Sequence, residues 1–217
     1  MESRHTVLVV DDHPLFRKGV VQLLSMEPSI EIVGEAGNRA QAVALAERHD
    51  PDLILLDLNL KAESGLDILA ALKADDPSRR VVMLTVSDAA EDLIGAIRAG
   101  ADGYLLKDME PEQLLDRVRA SLAGETVIGE ALAARLASAL RQEARDSASG
   151  PRRDMSLLTE REQQVLRCLA DGQSNKHIAR TLSITEGTVK VHVKNLLKKL
   201  SFRSRVEAAV WMAQQPH

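Results

Sequence analysis

Aromatic residues are almost missing from this chain, which has two Phe, one Tyr and one Trp in 217 residues. Its core must therefore be built from Leu, Val, Ile and Ala. At 45% apolar composition that suffices for one large domain or two small ones. Cysteine is scarcer still: the lone Cys168 excludes an intrachain disulfide and fits a reducing interior. No apolar run is long enough to cross a bilayer, and Met1-Glu2-Ser3-Arg4-His5 leads straight into a short strand without a signal-peptide core. The expected setting is the cytoplasm, with no membrane partner. Internal repeats and low-complexity tracts are also lacking.

Charge is present in both signs but unevenly placed. Residues 1–122 carry 13 basic and 22 acidic side chains, and residues 123–217 carry 15 basic and 10 acidic ones. An acidic front half joined to a basic tail suggests a metal or phosphate chemistry module linked to a nucleic-acid module.

The front half is organised around Leu53-Ile54-Leu55-Leu56, four apolar residues without alternation that end abruptly at Asp57. Such a run reads as a strand buried on both faces of a sheet. Thr6-Val7-Leu8-Val9-Val10 is of the same kind and ends in Asp11-Asp12. Ile30 to Ala36 alternates, as an edge strand does. Val81-Val82-Met83-Leu84-Thr85 and Gly103-Tyr104-Leu105-Leu106-Lys107 complete the set. Helical periodicity follows each strand, opened by Pro14, Ala40, Ser64-Gly65 and Pro111 and stopped once by Gly100. The pattern predicts an α/β fold, a five-stranded doubly wound parallel sheet. Asp11, Asp12, Asp57, Thr85 and Lys107 then share one rim, where α/β sheets collect their chemistry.

A connecting helix is expected from Gly124 to Leu140, followed by the polar stretch Arg145-Asp146-Ser147-Ala148-Ser149-Gly150-Pro151-Arg152-Arg153, which reads as a linker. Thr159 and Glu162 have capping-box spacing. They open a small all-α domain with helices near 160–170, 175–182, 186–200 and 203–214. The expected division is 1–123, 124–155 and 156–217.

Three clustered carboxylates are costly unless a cation neutralises them. They are hard oxygen ligands with no Cys or His cluster beside them, so the expected cation is Mg²⁺ or Mn²⁺. Lys107 adds a second positive charge, and Thr85 a hydroxyl that can donate to a phosphoryl oxygen. The set suits attack by the Asp57 carboxylate on phosphorus, giving an acyl phosphate. His13, beside the acid pair, reads as a loop or capping residue rather than a ligand.

These residues, with Tyr104 three before the lysine, resemble the receiver domain of two-component response regulators over residues 6–122. The segment from Leu158-Thr159-Glu160-Arg161-Glu162 to Val206-Glu207-Ala208-Ala209 is similar to the LuxR-type helix-turn-helix of the NarL/FixJ family. The resemblance implies that Asp57 takes a phosphoryl group from a sensor histidine kinase. It implies Mg²⁺ held by Asp11 or Asp12, or both, with Asp57 and the backbone carbonyl of Asn59, and a switch pair of Thr85 and Tyr104. The loop Leu60-Lys61-Ala62-Glu63-Ser64-Gly65 departs from the Met-Pro-Gly turn usual in the family.

For the basic end the resemblance implies double-stranded DNA, with Lys190, Val191 and Lys194 as base readers. Asn175, Lys176, Thr185, Thr188, Lys198 and Lys199 would lie near phosphates. His192 could face DNA or solvent, and Cys168 reads as core. Two copies on paired half-sites are expected, with Val206, Ala209, Val210 and Met212 as a candidate dimer face and Trp211 either core or interface. The function implied is a phosphorylation-dependent transcription regulator rather than an enzyme. A constitutive DNA-binding protein with a silent receiver is the alternative. A phosphohydrolase of the haloacid type would want a second aspartate where Asn59 stands.

Overall fold

In the computed structural model, described for residues 4–61, 63–128 and 154–213, the chain forms a parallel α/β layer and a helical cluster. The first unit runs β1 (His5–Val10), α1 (Pro14–Ser25), β2 (Ile30–Ala36), α2 (Arg39–His49) and β3 (Leu53–Leu56). The short strands β4 (Asn59–Leu60) and β5 (Glu63–Ser64) come next, then α3 (Gly65–Asp75), β6 (Val81–Thr85), α4 (Ala90–Ala99), β7 (Gly103–Leu106), α5 (Pro111–Ala123) and β8 (Val127–Ile128).

The main sheet has the order β2-β1-β3-β6-β7-β8, all parallel, so the strand order reverses direction beside β1. Alternation along each strand builds two cores. Leu8, Val10, Ile54, Leu56 and Met83 point to the α2, α3 and α4 side. Val7, Val9, Leu53, Leu55, Val82 and Leu84 point to the α1 and α5 side, against Val20, Leu24, Leu114 and Val118.

Among the described residues six strands, not five, make the layer. Val127–Ile128 pairs with Gly103–Tyr104 at the edge, where the sequence reading began a connecting helix at Gly124. Gly124 instead ends α5 in a left-handed conformation, φ 103°, and turns the chain back along β7. Val127 fits because Gly103 lacks a side chain: a Cβ there would sit 2.6 Å from Val127 Cγ2. The remainder of the expected connecting helix and the 145–153 linker lie outside the described residues. The 59–64 loop is a two-stranded antiparallel hairpin, β4 with β5.

The second unit holds a short 3₁₀ turn (Met155–Leu157) and helices α6 (Glu160–Ala170), α7 (Asn175–Leu182), α8 (Glu186–Lys199) and α9 (Arg205–Ala213). Thr159 and Glu162 close the capping box that their spacing predicts, and Ser174 and Thr185 cap α7 and α8. Ser183, at φ 53°, makes the left-handed turn between α7 and α8. Val165, Leu166, Leu169, Ile178, Val189, Val193, Leu196 and Leu197 form the core. Cys168 is buried with them, and Trp211 packs on this core with its ring centroid 5.5 Å from that of Phe202. No helix among the described residues is long and apolar enough to cross a membrane.

Candidate functional site

The carboxyl ends of β1, β3, β6 and β7 stand side by side, so residues at positions 11, 57, 85 and 107 arrive on one rim. Lys107 Nζ lies 2.7 Å from Asp57 Oδ2 and 2.8 Å from Asp11 Oδ2, tying the two buried carboxylates together. Lys107 N also donates to Thr85 O at 2.8 Å, which fixes the two strand ends to each other. Asp57 Oδ1 accepts from Asn59 N at 3.2 Å, and Asp12 Oδ2 from Lys61 N at 2.8 Å. Lys61, at the start of the 60–65 loop, is therefore bonded to the rim. Gly65 lets α3 begin against it, since a Cβ there would be 2.2 Å from Asp57 O.

Burial pushes the Asp57 carboxyl above its ordinary value, outweighing the Lys107 ammonium that pulls it down. Lys107 thus does not fully compensate the Asp57 carboxylate. Asp12 Oδ1 is buried and accepts no hydrogen bond, although His13 Nδ1 lies 2.9 Å away. One ligand atom each from Asp11, Asp12, His13 and Asp57 lies within 4.8 Å of the others, so the cluster could bind a metal ion. His13 stands at the N-cap position of α1 but makes no capping bond with its side chain. Its ring faces the acids instead, a placement the sequence reading did not expect.

Thr85 is fully buried, and its Oγ1 accepts from Ser87 N at 3.2 Å. The Tyr104 hydroxyl donates to Ser87 O at 3.0 Å, and burial first, with nearby acids, raises its pKa to about 12. Ser87 Oγ donates in turn to Asp92 Oδ2 at 2.5 Å, in the first turn of α4. Ser87, which the sequence reading passed over, therefore connects Thr85, Tyr104 and α4. A serine two residues past a strand carries no signal of its own.

At the far end of the sheet, the rim of strand beginnings, the second unit docks. Lys190 Nζ lies 2.5 Å from Asp52 Oδ1 and Lys194 Nζ 2.5 Å from Asp76 Oδ2. The two lysines, one turn apart on α8, share the face with exposed Val191. Lys176 and Lys198 are exposed, while Asn175 Oδ1 accepts from Arg205 at 3.4 Å. Thr188 is engaged with Thr185 in the α8 cap, their hydroxyl oxygens 2.9 Å apart. Lys199 is taken up by Glu162 of the capping box, at 2.7 Å. Two further contacts join the units through left-handed glycines: a Cβ on Gly100 would sit 2.7 Å from Arg203 O, and one on Gly124 2.5 Å from Ser174 Cα.

Residues 7–119 match the response regulator receiver domain, and residues 156–212 match the luxR family of bacterial regulatory proteins. The chain is 52% identical over 210 residues to the nitrate/nitrite response regulator protein NarL of Escherichia coli K12, covering 97% of this chain and 95% of that protein. It is also 52% identical to NarP of the same organism, over 209 residues, covering 96% of this chain and 94% of that one. Among solved structures, the response regulator ChrA of a heme-sensing two-component system aligns over 98% of both chains, with 31% identity and a TM-score of 0.50.

Proposed function

Since the chain belongs to the two-component response regulators with a LuxR-type output domain, and so is a phosphorylation-dependent transcription regulator, we propose that Asp57 is its phosphoryl acceptor. The observation that carries this is Lys107, whose single ammonium touches both Asp57 and Asp11 at the strand ends. An Asp57 oxygen attacks the phosphorus of a kinase phosphohistidine, the P–N bond breaks, and the imidazole leaves with the electron pair. In this reading Lys107 and the Thr85 hydroxyl receive the phosphoryl oxygens. Asp11, Asp12 and Asp57, with the Asn59 carbonyl, would hold Mg²⁺, which would supply positive charge to the transferring group. Asp12 Oδ1, buried without a donor, fits a metal ligand.

The resting chain is closed. Lys190 and Lys194, the proposed base readers, are held by Asp52 and Asp76, so carboxylates stand where DNA would stand. Phosphorylation acts at the opposite rim and needs a connection. α4 supplies one: its first turn is tied through Asp92 to Ser87, and the Arg98 carbonyl in its last turn accepts from Arg203 of the second domain at 3.0 Å. A change at Thr85 and Tyr104 that shifts α4 would loosen the docked domain, freeing it to bind double-stranded DNA as a homodimer. The division we propose is receiver 1–123, linker 124–155 and DNA-binding domain 156–217, working in the cytoplasm.

The constitutive alternative is not favoured, because a constitutive binder has no use for acids that occupy its reading lysines. The test is DNA titration with and without acetyl phosphate and Mg²⁺, on wild type and Asp57→Asn. Phosphodonor-dependent affinity that disappears in the variant supports the reading. Equal affinity in all four arms refutes it.

A further inference from the structure

A cavity of about 970 Å³ opens between the two domains, lined on the receiver side by Arg4, Arg80 and Arg119 and on the other by Lys176, Lys190 and Arg205. Most of its charges are matched. Lys190 meets Asp52, Lys194 meets Asp76, and Arg119 meets Glu27. Among the basic lining residues, Arg4, Lys176, Arg80 and Arg205 form no salt bridge within the described residues, and of these only Arg80 and Arg205 are partly buried. Arg80 donates to the Ser121 carbonyl, and Arg205 to the Gln173 carbonyl at 2.9 Å and to Asn175 Oδ1 at 3.4 Å, all of them neutral acceptors. The carboxylates that act on them from a distance are already engaged, Asp102 by Lys73 at 2.7 Å and Asp52 by Lys190. Asp50 and Glu186 also line the cavity, as acids without a salt bridge among the described residues.

We infer that this interdomain cavity is a binding site for a diphosphate-bearing anion, gripped by Arg80 of the receiver and Arg205 of the DNA-binding domain. Two guanidiniums that line one space and bond only neutral acceptors suit an anion with several oxygens, because each planar fork can donate two parallel hydrogen bonds. Like charges so placed are costly without a counter-ion. Desolvation first, and then the neighbouring Arg80, lower the Arg205 pKa to about 9, a penalty that an anion between them would relieve. Pockets of roughly 300–1,000 Å³ are of the size that takes small ligands, so a nucleoside diphosphate has room as well as inorganic pyrophosphate.

The inference rests on the closed arrangement proposed above, because the site has one wall from each domain. A ligand that binds only the closed chain must oppose DNA binding: at about a hundred times its Kd it shifts the closed equilibrium about a hundredfold. The cavity would then let a metabolic anion set how readily phosphorylation opens the protein.

Calorimetric titration of the full chain with inorganic pyrophosphate, and in parallel with ADP, tests this at fixed ionic strength without divalent metal. Small-angle scattering of the same samples reports closure independently. One equivalent should bind the closed wild type. Arg80→Gln should weaken it by about tenfold or more, the loss of a hydrogen bond to a charged group. Arg205→Lys, which keeps the charge but loses the fork, should weaken it too, whereas Arg48→Gln, a matched charge loss on the far helix α2, should not. Tighter binding of ADP assigns the site to a nucleotide, and equal binding assigns it to the diphosphate alone. A closed chain that binds neither, or one that binds them as well with Arg80→Gln as without, overturns the inference. A wild type that scatters as two separated domains overturns the closed reading and the inference with it.

Discussion

Lys194 of α8 and Asp76, at the end of α3, meet at 2.5 Å across the junction between the two domains, 118 residues apart in the chain. Burial alone would raise the Asp76 carboxyl. Hydrogen bonds from Lys194 and Ser78 outweigh it and hold the group below its ordinary value, and Lys190 does the same for Asp52. The receiver thus presents α8 with two ionised carboxylates, one for each of two lysines a helical turn apart.

Replacing both acids by Asn should free the reading face without a phosphodonor. Asn keeps an acceptor for the Thr6 and Ser78 amides that these side chains also serve. Partly exposed pairs contribute about 0–1 kcal/mol each, so the double variant should gain about three- to tenfold in unphosphorylated DNA affinity. A gel-shift titration of the unphosphorylated chains measures it. Because both pKa values are depressed in the closed state, this contribution is complete above the ordinary value of 3.8 and lost as pH falls through the lower, closed-state values. The scattering radius should therefore grow in acid, and less so in the double variant.

Asp57→Asn should abolish labelling by a phosphodonor and also stabilise the fold. The Asp57 pKa is raised by burial, so at neutral pH ionisation favours the unfolded chain, and the penalty vanishes once pH falls below the ordinary value of 3.8. The variant should melt higher than wild type at pH 7, with about 2–4 °C expected per kcal/mol in a chain of this size. The difference should close in acid. Mg²⁺ should raise the wild-type midpoint and leave the variant nearly unmoved. A lower midpoint for Asp57→Asn in metal-free buffer would contradict the under-compensated Asp57 carboxylate.

The rim of strand ends was legible in the sequence because parallel strands with crossover helices must all finish on one side. Asp11, Asp57, Thr85 and Lys107 come together by topology, and their side chains need no long-range pairing to be found. Asp52 and Asp76 were invisible for the opposite reason. Each looks like an ordinary acid near a turn until Lys190 and Lys194 are brought to it from another domain. Val127–Ile128 was missed because two residues are too few for a periodic signal, and the helical pattern beyond them drew the boundary too early. His13 was read by its neighbours in sequence, whereas its ring is placed by the first turn of α1.

Gly124→Ala should open the chain by steric means alone. The residue holds φ 103°, and a Cβ would meet Ser174 Cα at 2.5 Å, backbone that cannot swing aside. The left-handed conformation costs an alanine about 1 kcal/mol, so melting should fall slightly. The clash exists only in the docked arrangement, so DNA affinity without phosphodonor should rise while labelling of Asp57 stays as in wild type. Unchanged affinity in a folded Gly124→Ala chain would mean that the domains are already apart in solution.

Ser87→Ala should separate phosphorylation from its consequence. Its hydroxyl bonds Asp92 at 2.5 Å and accepts from Ala89 N at 3.3 Å, while its backbone serves Thr85 and Tyr104. Alanine keeps the backbone contacts and removes only the tie to α4. A hydrogen bond to a charged group contributes about 1.5–3 kcal/mol, a substantial part of the roughly 5.5 kcal/mol needed to move a population from 1:99 to 99:1. The variant should accept label at the wild-type rate, since Asp57, Asp11 and Lys107 are untouched. The rise in DNA affinity on phosphorylation should shrink by about tenfold or more, read as the ratio of the two titrations. Loss of labelling would instead place Ser87 in the acceptor chemistry. A full DNA response would show that α4 receives the signal by another route, leaving the Thr85, Ser87 and Asp92 chain as packing.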